Sequence, residues 1–424
     1  MEGTQQVINL VEEIYKGQSS NAEEQLKRLE ESQCKQLIEI LLFISLESRT
    51  LQEPSPISIT SSIIVKNIIQ RNWMKENKLN KEEKVQIIDN FIMRLVEVQN
   101  NYLAKLLSNI LSEICCQELT LGNLEESVNH LNQLTMCKLI IHLSSIAKEA
   151  EKEDSKYSEM FSGSNKFVLM ILQYTRRLLL PLELSIKTLL LKKKNKKKFE
   201  YFLENTKNQF LIPLMDIISE KWIFAMTVFT DVLEEDEVEQ NNVEEMKEEQ
   251  QLIFFLSEVC SITLKVIKKL SFYSFRMLEG TKSHFNKIWK LFPEFSGSLM
   301  ENRKNKRSTM NDNEIGNFID KQLIHSTKIL LLIIRDNPNF ILDHLLQILQ
   351  FYLPRIIYSP SVHVLLSDPT SFECKFIILS LNLFAFTFEV FFSFFSFFSP
   401  FLNFFLLFIF TEITNGFGTT LLVD

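Results

Sequence analysis

Apolar residues recur along this chain at intervals of three and four, the period of a helix that buries one face. The first stripe is Val7, Leu10, Val11 and Ile14, with Thr4 as its predicted cap. Gly17 is its predicted end, because glycine enters the left-handed region without steric cost. Ser20 or Asn21 opens a second helix, with Glu23 or Glu24 three residues on in capping-box position. A third runs from Gln33 to Glu47 on the stripe Leu37, Ile40, Leu41 and Ile44, and Pro54 and Pro56 break the chain after it. Thr60 starts a fourth, which carries Ile63, Ile64, Ile68 and Ile69 and ends near Trp73. Asn80 caps a fifth to about Val96, and a sixth spans Gln99 to Cys116.

The rhythm continues as Ser127 to Glu153, Asn165 to Leu180, Leu182 to Leu191, Phe199 to Thr206 and Pro213 to Glu234. Gln250 to Leu278, Lys282 to Lys304, Glu314 to Arg335 and Pro338 to Tyr352 complete it. No alternating strand pattern competes. Short helices, each with one apolar stripe, must stack on neighbours to bury it, so the predicted fold is all-α, a HEAT-repeat α-solenoid of antiparallel helix pairs. On pattern alone a plain helical bundle remains the alternative.

Composition strengthens the helical reading. The 424 residues exceed one ordinary domain of about 100 to 200. Only 9 Gly and 10 Pro occur, far below the usual shares of about 7% and 5%, so hairpins and glycine-rich phosphate loops are scarce. A net charge of −7 repels a phosphate backbone and attracts basic proteins, which argues against nucleic acid as a ligand. The six Cys show neither Cys-x-x-Cys pairs nor regular spacing and read as core hydrophobes in a reducing compartment. The acidic amphipathic start carries no secretory or transit signal.

Two charged segments interrupt the helices. Residues 192–198 read Lys-Lys-Lys-Asn-Lys-Lys-Lys, predicted as a solvated basic loop, with a nuclear localisation signal or a contact to an acidic partner as alternatives. Residues 234–249 hold nine acidic side chains against the single Lys247, predicted as an acidic loop that is either a disordered spacer or a dock for basic cargo.

The C-terminal stretch is unlike the rest. No charge occurs from Val390 to Phe410, and fourteen of the 36 Phe fall between Leu383 and Phe410. Its length suits a membrane-spanning tail anchor. Phe, Ser and Leu are also what pyrimidine-rich codons specify, and residues 389–424 read first as a gene-model artefact that truncates the protein. A tail anchor and buried repeat helices are the alternatives.

The segment Ala22-Glu23-Glu24-Gln25-Leu26-Lys27, followed by an apolar helix and then Ile64-Val65-Lys66-Asn67-Ile68-Ile69-Gln70-Arg71-Asn72-Trp73, resembles the N-terminal domain of the importin-β (karyopherin-β) family. In that family an Ala-Glu-x-x-Leu-Lys helix precedes one reading Leu-Lys-Asn-x-Ile-x-x-x-Trp. The match covers about Glu23 to Ile114. Lys265 to Phe275 and Phe372 to Leu383 are similar to stretches of the importin-eleven-like branch. The Trp-Pro dipeptide that commonly closes the third repeat of the family is absent at Cys116 to Leu121.

The resemblance implies Ran-binding-type repeats over residues 1–116 and further HEAT-like repeats over 117–388. It implies a nuclear transport receptor that binds the GTPase Ran in its GTP form, protein cargo and nucleoporin Phe-Gly repeats, moving between cytoplasm and nucleus through the pore. Its rivals are a HEAT scaffold without Ran binding and a tail-anchored helical membrane protein. Lys66, Asn67, Gln70 and Arg71 are the candidate Ran contacts, sharing a polar stretch of one helix while Ile64, Ile68 and Ile69 pack inward. Their other reading is bonding to neighbouring loops, and Trp73 reads as a core anchor.

No catalytic residue is nominated, because nucleophile-elbow, Walker and kinase signatures are all missing, and the chain is not expected to be an enzyme. His130, His142, His284, His325, His344 and His363 are scattered without the spacing that puts two ligands on one helix face. No metal site and no cofactor are expected.

Overall fold

The computed structural model describes residues 2–17, 19–47, 53–122, 124–145, 165–191, 193–234, 243–277, 312–336, 350–352, 368 and 371–394. Among these the protein is all-α, with no strand. The helices are α1 (Glu2–Tyr15), α2 (Ser19–Ser32), α3 (Cys34–Glu47), α4 (Pro56–Asn72), α5 (Lys81–Leu95), α6 (Asn101–Leu121) and α7 (Leu124–Asn129). A 3₁₀ turn (Leu131–Gln133) leads to α8 at residues 135–145. Then follow α9 (Asn165–Leu191), α10 (Lys193–Asn205), a π turn (Lys207–Leu211), α11 (Ile212–Glu234), α12 (Val243–Met277), α13 (Asp312–Asp336) and α14 (Phe372–Phe394).

The chain forms two compact units, one from Met1–Lys221 with Glu239–Val266, the other from Trp222–Val238 with Ile267–Asp424. In the first unit consecutive helices pair, α1 with α2, α3 with α4 and α5 with α6. Two rows also form: α1 on α4, α4 on α6 and α6 on α9 make one, while α2, α3 and α5 make a second. The core lies between the rows, where Leu37, Ile38, Leu41 and Ile44 of α3 meet the α4 face of Val65, Ile68, Ile69 and the fully buried Trp73. In the second unit α13 packs on α14. Thr327 and Tyr352 share a hydrogen bond of 2.9 Å there, and Tyr352 lies against Phe376 with ring centroids 5.9 Å apart.

The ends of several helices follow from local chemistry. Gly17 ends α1 at φ +77°, a conformation that costs other residues steric strain. Asn80 and Glu83 form the capping box of α5: Asn80 Oδ1 accepts from the Glu83 amide at 2.9 Å, and Glu83 Oε2 accepts from the Asn80 amide at 2.9 Å. Asn100 caps α6 by accepting from the Leu103 amide.

Other expectations are corrected. α4 starts at Pro56 and not at Thr60, with Ser55 as N-cap and proline at the first helical position, where its missing N–H is not needed. Its apolar stripe is shifted too. Ile63 is 47% exposed, and Ser58, Ser61 and Ser62 are buried, small enough to admit α3 closely. Ser58 Oγ donates to the Ile44 carbonyl across that contact. Helix α6 continues past Cys116 to Leu121. The stretch from Ser127 is divided into α7, the 3₁₀ turn and α8. Helix α9 runs unbroken through Pro181 where two helices were expected.

The run Lys193 to Lys198 opens α10 and is no loop, because Phe199, Phe202 and Leu203 behind it are fully buried and extend one helical frame over the lysines. Of the acidic block, Val243 to Glu249 begins α12 and residues 235–242 lie outside the described residues. So do the predicted helix Lys282 to Lys304, most of Pro338 to Tyr352, and residues 395–424 of the Phe-rich tail. Among the described residues no helix is long and apolar enough to cross a membrane. All six cysteines are buried and unbridged.

Candidate functional site

The four nominated side chains lie on one length of α4. That helix exposes a polar strip because its buried positions, Val65, Ile68, Ile69 and Asn72, occupy the opposite arc. Asn67, Gln70 and Arg71 are exposed and Lys66 is half-buried. Beside them α1, α2 and α4 enclose a groove of about 930 Å³. Its apolar lining is Ile14, Leu26, Ile63, Ile64 and Ile68. Its polar lining sets the cations Lys27, Arg71, Lys75 and Lys78 against the carboxylates of Glu23, Glu30 and Glu31. Asn67 and Arg71 face this groove, whereas Lys66 and Gln70 are not among its lining residues.

Arg71 is engaged within the molecule. Its Nε and Nη2 donate to the two carboxylate oxygens of Glu30 at 3.0 and 2.7 Å, a bidentate pairing that only the planar guanidinium makes. Asn72 Nδ2 donates to the same carboxylate and to the Ile68 carbonyl. The Glu30 hydrogen bonds are the main cause that pushes the Arg71 pKa further above its ordinary value. Glu30 is 9% exposed, so three donors compensate a nearly buried charge. Lys78 Nζ donates to the Glu31 carbonyl at 2.8 Å, and Lys75 Nζ to Asn72 Oδ1 at 3.4 Å. The α2–α4 wall is thereby latched by α4 side chains and those of the turn after it.

Glu30 and Asn72 were not nominated from the sequence. Glu30 lies 41 residues before Arg71, and no local period links them. Trp73 is fully buried, as its apolar flanks predicted. Asn67, with Lys27 across the groove, offers neutral and cationic hydrogen-bond donors above an apolar floor, and Gln70 is exposed outside the groove. Such a surface suits a folded protein partner that presents carboxylates and a few aliphatic side chains.

Among the described residues no cluster of His, Cys, Asp and Glu has metal-binding geometry. Comparison of the chain with protein families, with curated proteins and with solved structures finds no match.

Proposed function

We propose that this chain is a HEAT-type α-solenoid acting as a nuclear transport receptor of the importin-β kind, shuttling between cytoplasm and nucleus. Ran in its GTP form binds at the α2–α4 strip, protein cargo of basic character binds elsewhere on the repeats, and nucleoporin Phe-Gly segments carry the receptor through the pore. The reading rests on one observation together with the sequence resemblance. Helices α1, α4, α6 and α9 pack in one row and α2, α3 and α5 in another, a two-layer packing that supports a stack of helix pairs burying their stripes on one another. No chemistry is assigned to any residue of the chain.

The Glu30–Arg71 pairing favours a second reading, a HEAT scaffold that does not bind Ran, because it commits one of the four nominated contacts to the fold. Titration of the purified chain with Ran loaded with a non-hydrolysable GTP analogue, and separately with GDP, separates the two. The receptor reading expects binding at least ~10-fold tighter in the GTP form, and a comparable loss on Asn67→Ala with Gln70→Ala, at about 1.4 kcal/mol per factor of ten. Equal or undetectable binding of both nucleotide forms leaves the scaffold.

A further inference from the structure

Two leucines stand out from the surface of the first unit. Leu121, the last residue of α6, is 68% exposed, and Leu191, the last residue of α9, is 72% exposed, more than any other large apolar side chain among the described residues. They end together. Arg177 of α9 donates to Asn101 at the start of α6, and Cys116 Sγ lies 3.9 Å from the Ser185 carbonyl further along both helices, so α6 and α9 run in the same direction.

Helix α10 brings cations to the same end. Lys198 Nζ donates to the Thr120 carbonyl, next to Leu121, and so holds the first turns of α10 against the end of α6. Lys193, Lys194 and Lys197 are exposed there, and Tyr201, itself exposed, lies one turn beyond Lys197 on the same face. Lys187 is exposed on α9, one turn before Leu191. Against these cations stand Glu200, which pairs with Lys196 at 3.9 Å, and Glu125, exposed on α7, which packs on α10. Glu183 and Glu204 lie further back along α9 and α10.

Neither feature serves the fold. Lysines in the first turn of a helix are opposed by its dipole, and leucines left largely in water forgo the burial that favours them. Side chains that break local rules together mark a functional surface. Leucines projecting from helix ends among long, flexible cations match an anionic bilayer better than an acidic protein. At a bilayer the leucines enter the acyl boundary while the ammonium groups stay at the level of the phosphates. The lipids diffuse to the lysines, so no fixed pattern of partner charges is required. An acidic polypeptide meets the lysines but leaves both leucines in water unless it carries a cavity for each.

We propose that this end of the first unit docks on the surface of an anionic phospholipid bilayer, with Leu121 and Leu191 entering the interface and Lys187, Lys193, Lys194 and Lys197 meeting lipid phosphates. The contact does not depend on Ran or cargo binding.

Co-sedimentation of the full chain with vesicles of phosphatidylcholine alone, and of phosphatidylcholine with a quarter phosphatidylserine, tests this. Binding at least ~10-fold tighter to the serine-containing vesicles is expected, because each lysine near an anionic surface contributes roughly fivefold. Lys193→Gln, Lys194→Gln and Lys197→Gln together are expected to remove that preference, and at exposed positions facing the helix dipole they leave folding intact. Leu121→Gln with Leu191→Gln, also at exposed positions, is expected to weaken binding to the serine-containing vesicles at least ~10-fold. Equal affinity for the two lipid mixtures, a triple lysine variant that keeps the preference, or a leucine variant that binds as the wild type overturns the proposal. Release of the wild-type chain from the vesicles by a soluble polyglutamate peptide, matched in charge to the phosphatidylserine, also overturns it and assigns the lysines to an acidic polypeptide.

Discussion

Glu118 joins two elements through a single side chain. Its carboxylate accepts both Thr135 bonds at the start of α8 while sitting in a buried setting beside Trp73, Lys84, Cys115 and Cys137. Burial outweighs the hydrogen bonds, so the folded pKa rises from 4.5 to about 7. The protonated form is therefore favoured in the folded state. Its contribution is fully present below the unfolded value and is lost as pH rises through about 7. Glu118→Gln removes this titration, so its thermal stability is expected to fall less than the wild type's between pH 5 and pH 8. Parallel pH profiles for the two proteins would sink the assignment. Burial dominates at Arg177 too, with the opposite direction of shift because the charged form is the protonated one. It is fully buried and its pKa is lowered to about 9 by burial, yet Nε donates to the Val98 carbonyl and Nη2 to that of Gln99, each at 2.9 Å. These bonds satisfy carbonyls in the link between α5 and α6, where Gln173 Nε2 also donates to the Val98 carbonyl at 3.5 Å.

At the scale of elements, side-chain rules placed some helix ends and not others: Asn80 caps α5 and Gly17 ends α1, whereas Thr4 lies inside α1 and Ser20 and Asn21 inside α2. The Asn80 and Glu83 capping box was legible as residues three apart before an apolar run. Asn80→Ala is expected to cost about 1 kcal/mol in urea unfolding of the first unit, and a loss under a few tenths would contradict the reciprocal geometry. The start of α4 was not legible in the same way, since proline reads as a breaker unless the residue before it is seen to cap. Ser55 does cap it, accepting from the Ser58 amide at 3.1 Å. Helix α10 begins against its own dipole, with Lys193, Lys194 and Lys196 in the first turn. It persists because Phe199, Phe202 and Leu203 are fully buried behind that turn. Helix α9 likewise continues past Pro181 because Leu178, Leu179, Leu182 and Ile186 are buried on both sides of it.

For the whole molecule, the proposed receptor must couple two partners. If Ran and cargo oppose one another, the factor by which one weakens the other is the same in both directions. Measuring cargo affinity with and without GTP-loaded Ran, and Ran affinity with and without cargo, is expected to return equal factors above ~5, the lower end of ordinary coupling. A factor of one in both directions removes release by competition from the proposal. The net charge of −7 adds a second signature of the same experiment. Basic cargo held by long-range attraction weakens as salt rises, because exposed charges are screened beyond about 10 Å at 0.1 M.

The sequence by itself determined that the chain is helical and where most helices run, because a 3.6-residue period and the scarcity of glycine and proline are local properties. It also placed Trp73 in the core, from the apolar residues around it. The tertiary structure alone decided which face of α4 is buried, since Ser58, Ser61 and Ser62 look polar until α3 is seen to lie on them. It alone decided that Arg71 is latched to Glu30 and that Trp73, Lys84, Glu118 and Gln133 line one cavity. Those residues come from separate helices and turns, and only packing, which no periodicity encodes, brings them together.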